Sequence, residues 1–386
     1  MTEKPLTVAV TQTAERRILG LDGLRGVACI TVIISHFFGE LAHGVRAAMV
    51  GWAAVDIFFV LSGFLIGRLI LDKKHHTNFF VVFYMRRACR LLPAYLVTIA
   101  AVFSLITLLP YAWVDADQRF PFLSYLGFAQ VFWMVSTNSI GAHWLAPTWT
   151  LAVEEHFYML VPALIVFTPR RWLAPTLGVI GAGAIAMRLA ACFQGPKFAM
   201  AALVLLPGRA DLLVLGLLAA LFNGWNAVDW PRIMPALRIA PIAGLLLAAF
   251  CNLASENLFH TLGPTLVGFS CATFILCIVR GTPEAERFNS PILRYLGDNA
   301  YCLYLSHLAV LGLMHGLILG RRPDLQTPGQ WAVTILALPV CLVVGRVMTK
   351  YIEEPFMAFG RRWRWDSEPR AKAPAAIFRD DVASGG

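Results

Sequence analysis

Apolar runs of membrane-spanning length recur along this 386-residue chain and leave little room for anything else. About ten can be marked, at 21–43, 52–71, 91–110, 148–168, 173–194, 207–223, 239–254, 262–280, 299–320 and 331–350. Each has roughly the 17–25 residues that a helix needs to cross hydrocarbon. Backbone in lipid must satisfy its own N–H and C=O groups, which only helices and closed barrels achieve. The runs are continuous rather than alternating, which excludes a β-barrel. With 58% hydrophobic and only 14% charged residues, the chain reads as an all-α membrane protein, a polytopic bundle of about ten transmembrane helices.

The net charge of +9 is therefore not a nucleic-acid footprint; excess Lys and Arg in such a chain fix topology and meet anionic lipid. With the N-terminus inside beside Lys4, Arg16 and Arg17, the inside loops collect Lys73, Lys74, Arg86, Arg87, Arg90, Arg170, Arg171, Arg232, Arg238, Arg280, Arg287 and Arg294. The tail adds Arg361, Arg362 and Arg364, while the outside loops hold only Arg46, Arg119, Lys197, Arg321 and Arg322. That asymmetry puts both termini in the cytoplasm. The expected layout is a cytoplasmic segment 1–17, a membrane domain 18–359 and a polar, disordered tail 360–386. No cleavable signal peptide is visible. The eight cysteines form no CxxC and no His-paired spacing, so neither a disulfide framework nor a metal site is expected. One interfacial or re-entrant helix is expected near 122–135, and Gly178, Gly181 and Gly183 suit close helix packing.

In the first span Asp22, Arg25, Cys29, Val32, His36, Glu40 and His43 follow i+3/i+4 spacing, one narrow polar stripe on an apolar helix. On a straight helix Arg25 and His36 share a face, roughly 20° apart, but stand about 16 Å apart along the axis. Ionisable groups at membrane depth point to a function or to a buried structural network.

Three further segments carry chemistry. In the second span, Asp56 and Ser62 accompany the small-residue pair Gly63 and Gly67; a nucleophilic Ser62 needs a base that its own helix does not supply. Arg86, Arg87 and Arg90 begin or precede the third span, where guanidinium forks suit phosphate oxygens or simply fix topology. The fourth span opens PTWTLAVEEHFY, which puts Glu154 and Glu155 roughly 10 Å below the outer surface, close to the depth of His36. A carboxylate beside His36 would orient it for acid–base work; the alternative is an interhelical salt bridge. Secondary candidates are His156 and Tyr158 in that motif, Arg209 and Asp211 as a local pair, and His307 in the ninth span.

Taken in order, LDGLRGVACITVIISH, VDIFFVLSGFLI, FYMRRACRLLPAY, PTWTLAVEEHFY, LGDNAYCLYLSH and EEPF resemble the integral-membrane acyltransferase-3 family, which includes bacterial O-acetyltransferases of surface polysaccharides. The resemblance runs from about Arg16 to Phe359. It implies a bacterial cytoplasmic (inner) membrane protein that takes an acyl group, most simply acetyl, from cytoplasmic acyl-CoA (acetyl-CoA) as co-substrate. The implied acceptor is a hydroxyl of a glycan or lipid-linked glycan. It also implies importance for Arg25, His36, Arg87 and Arg90. Thr150 and His156 stand where the family motif usually has Ser and Gln. Some relatives carry a C-terminal hydrolase-like domain, and none is expected here.

The combined reading makes His36 the general base, with Arg25 and Glu154 or Glu155 assisting and Arg86, Arg87 and Arg90 holding donor phosphates. Direct transfer and an acyl-His36 intermediate stay open. Alternatives are O-acylation of a small metabolite such as a macrolide, and a proton-coupled transporter or flippase.

Overall fold

The computed structural model describes residues 18–49, 51–109, 113–114, 119–225 and 228–366. The cytoplasmic segment expected at 1–17 and the tail beyond 366 lie outside the described residues. In chain order the helices are α1 (Leu19–Ile34), α2 (Gly51–Lys73), α3 (Phe79–Leu108), α4 (Phe122–Leu126) and α5 (Gln130–Thr137). Next come α6 (Thr148–Phe167), α7 (Arg170–Ala191), α8 (Pro196–Val204), α9 (Leu206–Asn223) and α10 (Trp230–Ala254). The last five are α11 (Glu256–Val279), α12 (Pro283–Glu286), α13 (Pro291–Leu319), α14 (Pro328–Met348) and α15 (Glu354–Gly360). Among the described residues, ten helical segments are long and apolar enough to cross a membrane, and each falls on one of the expected runs.

Two helix pairs form the centre, and in both the backbones approach through glycine. A side chain at Gly63 of α2 would meet the Leu213 carbonyl oxygen of α9 at 2.0 Å, and one at Gly216 of α9 would meet the Val60 carbonyl at the same distance. Gly26 and Gly297 do the same for α1 and α13, where an added Cβ would lie 2.0 Å from the Leu293 carbonyl and 1.9 Å from the Asp22 carbonyl. Close backbone approach of this kind replaces the missing hydrophobic drive between helices in lipid. Of the glycines expected to pack in the fifth span, Gly181 lies against α9, where an added Cβ would meet Val214 Cγ1 at 3.8 Å, but nothing lies within 4 Å of one added at Gly178 or Gly183. Those two line the outer side of α7, where apolar surface already suits lipid.

At the rim, α10 turns Ile239, Ile242, Leu246, Phe250 and Leu253 outward, the pattern of a lipid-facing helix. The single interfacial helix expected over 122–135 is instead α4 and α5. The chain breaks between them at Phe128, which takes φ 55° and stacks its ring on Tyr95 with centroids 4.8 Å apart. The third span starts at Phe79, earlier than its apolar run suggests, because Phe79 and Phe83 are buried and Phe79 stacks on Trp365. Residues 361–366 thus pack back against the start of α3.

Two π turns interrupt the regular ladder. One, Ser35–Gly39, continues α1 and carries His36; the other, Thr349–Glu353, continues α14 into α15. Such wide turns recur at functional sites.

Candidate functional site

A cavity of about 1670 Å³ opens where α1 and α13 begin and where α2, α9 and α14 end. Ordinary small-molecule pockets run to roughly 300–1,000 Å³, so this one suits a long ligand. Its wall includes Arg25, Arg68, Lys73, Lys74, Arg90, Arg170 and Arg346, with Asp22, Asp72, Asp298, Glu353 and Glu354 among them. Three of the cations pair on the wall: Arg25 with Asp22 at 3.2 Å, Lys73 with Asp72 at 2.8 Å and Arg346 with Glu354 at 3.0 Å. Arg68, Lys74, Arg90 and Arg170 have no ion pair among the described residues. The lining is therefore net positive and suited to an anionic ligand.

The arginines of the third span separate in space. Arg90 lines the cavity. Arg87 lies over the Tyr158 ring, 4.9 Å from its centroid. Arg86 turns to the C-terminal segment, where Nε donates to the Trp363 carbonyl at 2.9 Å and the guanidinium lies 5.2 Å over Trp365. All three are inside α3 rather than ahead of it, because the helix begins at Phe79.

Beyond Arg25 the cavity gives way to a polar cluster shared by α2, α3 and α6. Ser62 Oγ donates to Glu154 Oε1 at 2.6 Å, and Tyr158 Oη donates to Oε2 at 3.1 Å. Ser62 thus has the carboxylate neighbour its own helix lacks, delivered by α6. Arg25 and Arg87 both lie close enough to interact electrostatically with Glu154 and Tyr158, and Arg87 with Glu155. Glu154 is accordingly held by Ser62 and Tyr158 and not by the imidazole of His36.

His36 finds different partners. Its Nδ1 lies 2.8 Å from Nε2 of His307, and its Nε2 lies 3.4 Å from Glu40 Oε2. Ser35 Oγ donates to the other Glu40 oxygen at 3.0 Å. The carboxylate beside the imidazole is therefore Glu40, brought back by the π turn, whose Glu40 N–H bonds the Ser35 carbonyl at 2.9 Å. His307 is fully buried and its Nδ1 lies 2.7 Å from the Tyr304 carbonyl. Thr150 Oγ1 lies 3.0 Å from Tyr304 Oη, so the hydroxyl that replaces the family serine braces α6 against α13 beside the histidines. His156 is apart from both histidines, facing the Phe132 ring at 6.0 Å.

Asp56, Arg209 and Asp211 belong to another network. Arg209 reaches Asp56 at 3.3 Å. Asp211 accepts two bonds of 2.8 Å from Arg188, which also donates to the Gly208 and Thr261 carbonyls. The local Arg209–Asp211 pair does not form. Residues two apart on a helix point to different sides, so each takes its partner from another helix. Glu353, Arg68 and Arg170 were not among the site candidates in sequence: Glu353 stood only within EEPF, Arg170 counted only toward topology, and Arg68 showed only charge at a span end, which lipid contact explains equally well.

Architecture and site together define a polytopic integral membrane protein with a basic cavity at one end and a histidine pair further along the same helix. The acyltransferase domain of the acyltransferase-3 family matches residues 18–346, and the chain belongs to that family. It is 26% identical over 370 residues to a candidate O-acetyltransferase of Staphylococcus aureus strain COL, covering 90% of this chain and 59% of that relative. With O-acetyltransferase OatA of S. aureus strain NCTC 8325 it shares 25% identity over 372 residues, 89% of this chain and 58% of the relative. The chain thus spans about three-fifths of the length of these relatives. No solved structure matches it significantly.

Proposed function

We propose that the protein is a membrane O-acyltransferase that carries an acyl group, most simply acetyl, from acyl-CoA to a hydroxyl of a surface or exported glycan or its lipid-linked precursor. The observation that carries this reading is the placement of both chemistries on α1 and its π turn, Arg25 on the wall of the basic cavity and His36 beyond it beside Glu40. The cavity, with Arg90, takes the donor's phosphates. Its end of the bundle is the cytoplasmic one, since the Lys and Arg excess lies there, and the membrane is the bacterial inner membrane.

In the chemical step the acceptor hydroxyl gives its proton to His36 as its oxygen bonds to the thioester carbon. The C–S bond then breaks and the proton returns to the departing thiolate. Arg25 sits where it steadies developing negative charge on the donor side. The names of the relatives, O-acetyltransferases, support acetyl as the group moved.

The test is transfer of radiolabelled acetyl from acetyl-CoA to lipid-linked and free glycan acceptors by the purified full chain in proteoliposomes. His36→Ala is expected to abolish transfer while acetyl-CoA still binds. Undiminished transfer, or movement of glycan without acyl-CoA, would overturn the reading.

A further inference from the structure

His307 is fully buried, yet its contacts decide how His36 can work. The Tyr304 carbonyl, 2.7 Å from His307 Nδ1, can only accept, so that nitrogen carries the ring proton. In the neutral ring Nε2 is then the lone-pair nitrogen, and it faces His36 Nδ1 at 2.8 Å. His36 must therefore hold its own proton on Nδ1 and keep its lone pair on Nε2. That second nitrogen looks toward Glu40, whose side chain is 42% exposed.

We propose that His307 is a positioning residue that locks His36 as the Nδ1–H tautomer and so presents Nε2 as the base on the Glu40 side. This rests on the acyltransfer reading above. When Nε2 takes the acceptor's proton, the new N–H gains Glu40 as its ionic partner, while Nδ1–H stays bonded to His307. No relay runs beyond His307, because the Tyr304 carbonyl cannot take its Nδ1 proton, and the charge is better held on His36 beside Glu40 than on the fully buried His307. The base thus works on an acceptor arriving from the Glu40 face, while the cavity's Arg25 and Arg90 lie toward the start of α1.

The experiment compares His307→Leu with His307→Gln in the full chain. Gln offers an amide oxygen to His36 Nδ1, and Leu offers none. His307→Leu is expected to lower kcat about a hundredfold or more, the scale of a lost general base, with the KM for acyl-CoA unchanged. His307→Gln should stay within about tenfold of wild type. The acid limb of the kcat/KM profile is set by His36 among its facing groups, Glu40, His307 and His143. It should move to lower pH in His307→Leu, whose imidazolium has lost an acceptor, and stay in place in His307→Gln. Equal losses in both variants, or full activity in His307→Leu, would overturn the proposal. Independently of any variant's folding, nitrogen NMR of ¹⁵N-histidine-labelled wild type should show a His36 ring protonated at Nδ1; an Nε2–H signature overturns the assignment. If His36→Ala keeps transferring acetyl, the acyltransfer mechanism fails. If His36→Ala is dead but His307→Leu is not, only this inference fails.

Discussion

Ser62 and Glu154 are joined across 2.6 Å, the contact through which α2 and α6 share one half-buried carboxylate. Hydrogen bonds to a charged group contribute about 1.5–3 kcal/mol, and Glu154 also accepts from Tyr158. Ser62→Ala is therefore expected to lower stability by about 1–3 kcal/mol, read as a fall in the thermal midpoint in detergent. Glu154→Gln keeps an oxygen for one hydroxyl but removes the charge that Arg25 and Arg87 face. It should reduce acetyl transfer more than tenfold with a smaller drop in thermal midpoint than Glu154→Ala. A Gln variant as active as wild type would reject a role for that charge.

Arg188 and Asp211 give the opposite expectation. Their side chains are 5% and 2% exposed and joined by two parallel bonds. Removing one partner of a buried pair leaves a charge uncompensated, at a cost of about 3–5 kcal/mol. Asp211→Ala should accordingly unfold the bundle at markedly lower temperature, and Arg188→Met with Asp211→Leu should recover much of the loss. Specific activity per folded molecule should remain near wild type, and a selective loss of activity would return Asp211 to the site.

Two of the third-helix arginines, Arg90 and Arg86, are expected to part company in donor binding. Arg90→Ala should weaken acyl-CoA binding about tenfold or more, the worth of one charge-assisted contact. Arg86→Ala should leave that affinity alone and loosen the C-terminal segment held by Arg86, Trp363 and Trp365. Calorimetric titration with a non-transferable acyl-CoA analogue, beside limited proteolysis after residue 360, separates the two. Equal affinity losses in both variants would dissolve the distinction.

Between the last two long helical segments, Asp324 holds His43 through both of its oxygens, each 3.0 Å from Nδ1. Slight burial pushes the Asp324 carboxyl up, but bonds from the Leu325 N–H and from the His43 ring and backbone outweigh it and hold the group below the usual carboxylate range. That depression fixes the sign. The contact's stabilisation is fully present above the unfolded value of about 3.9 and is lost as pH falls through the lower folded value. Hydrogen exchange at the His43 and Leu325 amides should be unchanged from pH 7 to pH 5, after allowance for intrinsic rates, and accelerate below about pH 4. Asp324→Asn should show the faster exchange at every pH.

Much of this architecture could be read from residues alone, and the reason is physical. Burial in lipid demands long uninterrupted apolar runs, so all ten spans stand out. Fixed rise per residue also ranked Glu154 with His36 in depth, but a shared depth does not make a contact. Which helix faces meet is a tertiary matter, so the neighbour of His36 is Glu40, four residues on in its own stripe, and Glu154 goes to Ser62 and Tyr158. The Arg209–Asp211 pairing shows a different failure: spacing of two residues already argues against it, and only the tertiary arrangement reveals Arg188 and Asp56 as the partners. Glycine reading succeeded at Gly63, where another backbone crosses, and failed at Gly178, where none does.

The π turn at Ser35–Gly39 amounts to one residue more than a regular helix would need. The aim of the His36 ring is thereby encoded as backbone register, apart from any choice of side chain. Deleting Phe38 would let the ladder close as ordinary α-helix, changing the His36–Glu40 spacing from four residues to three and so re-aiming the carboxylate against the imidazole. Such a deletion should leave the ten spans inserted and the donor site formed while silencing transfer, so the difference between an acyl-CoA binder and an acyltransferase would come down to the count of residues in a single turn.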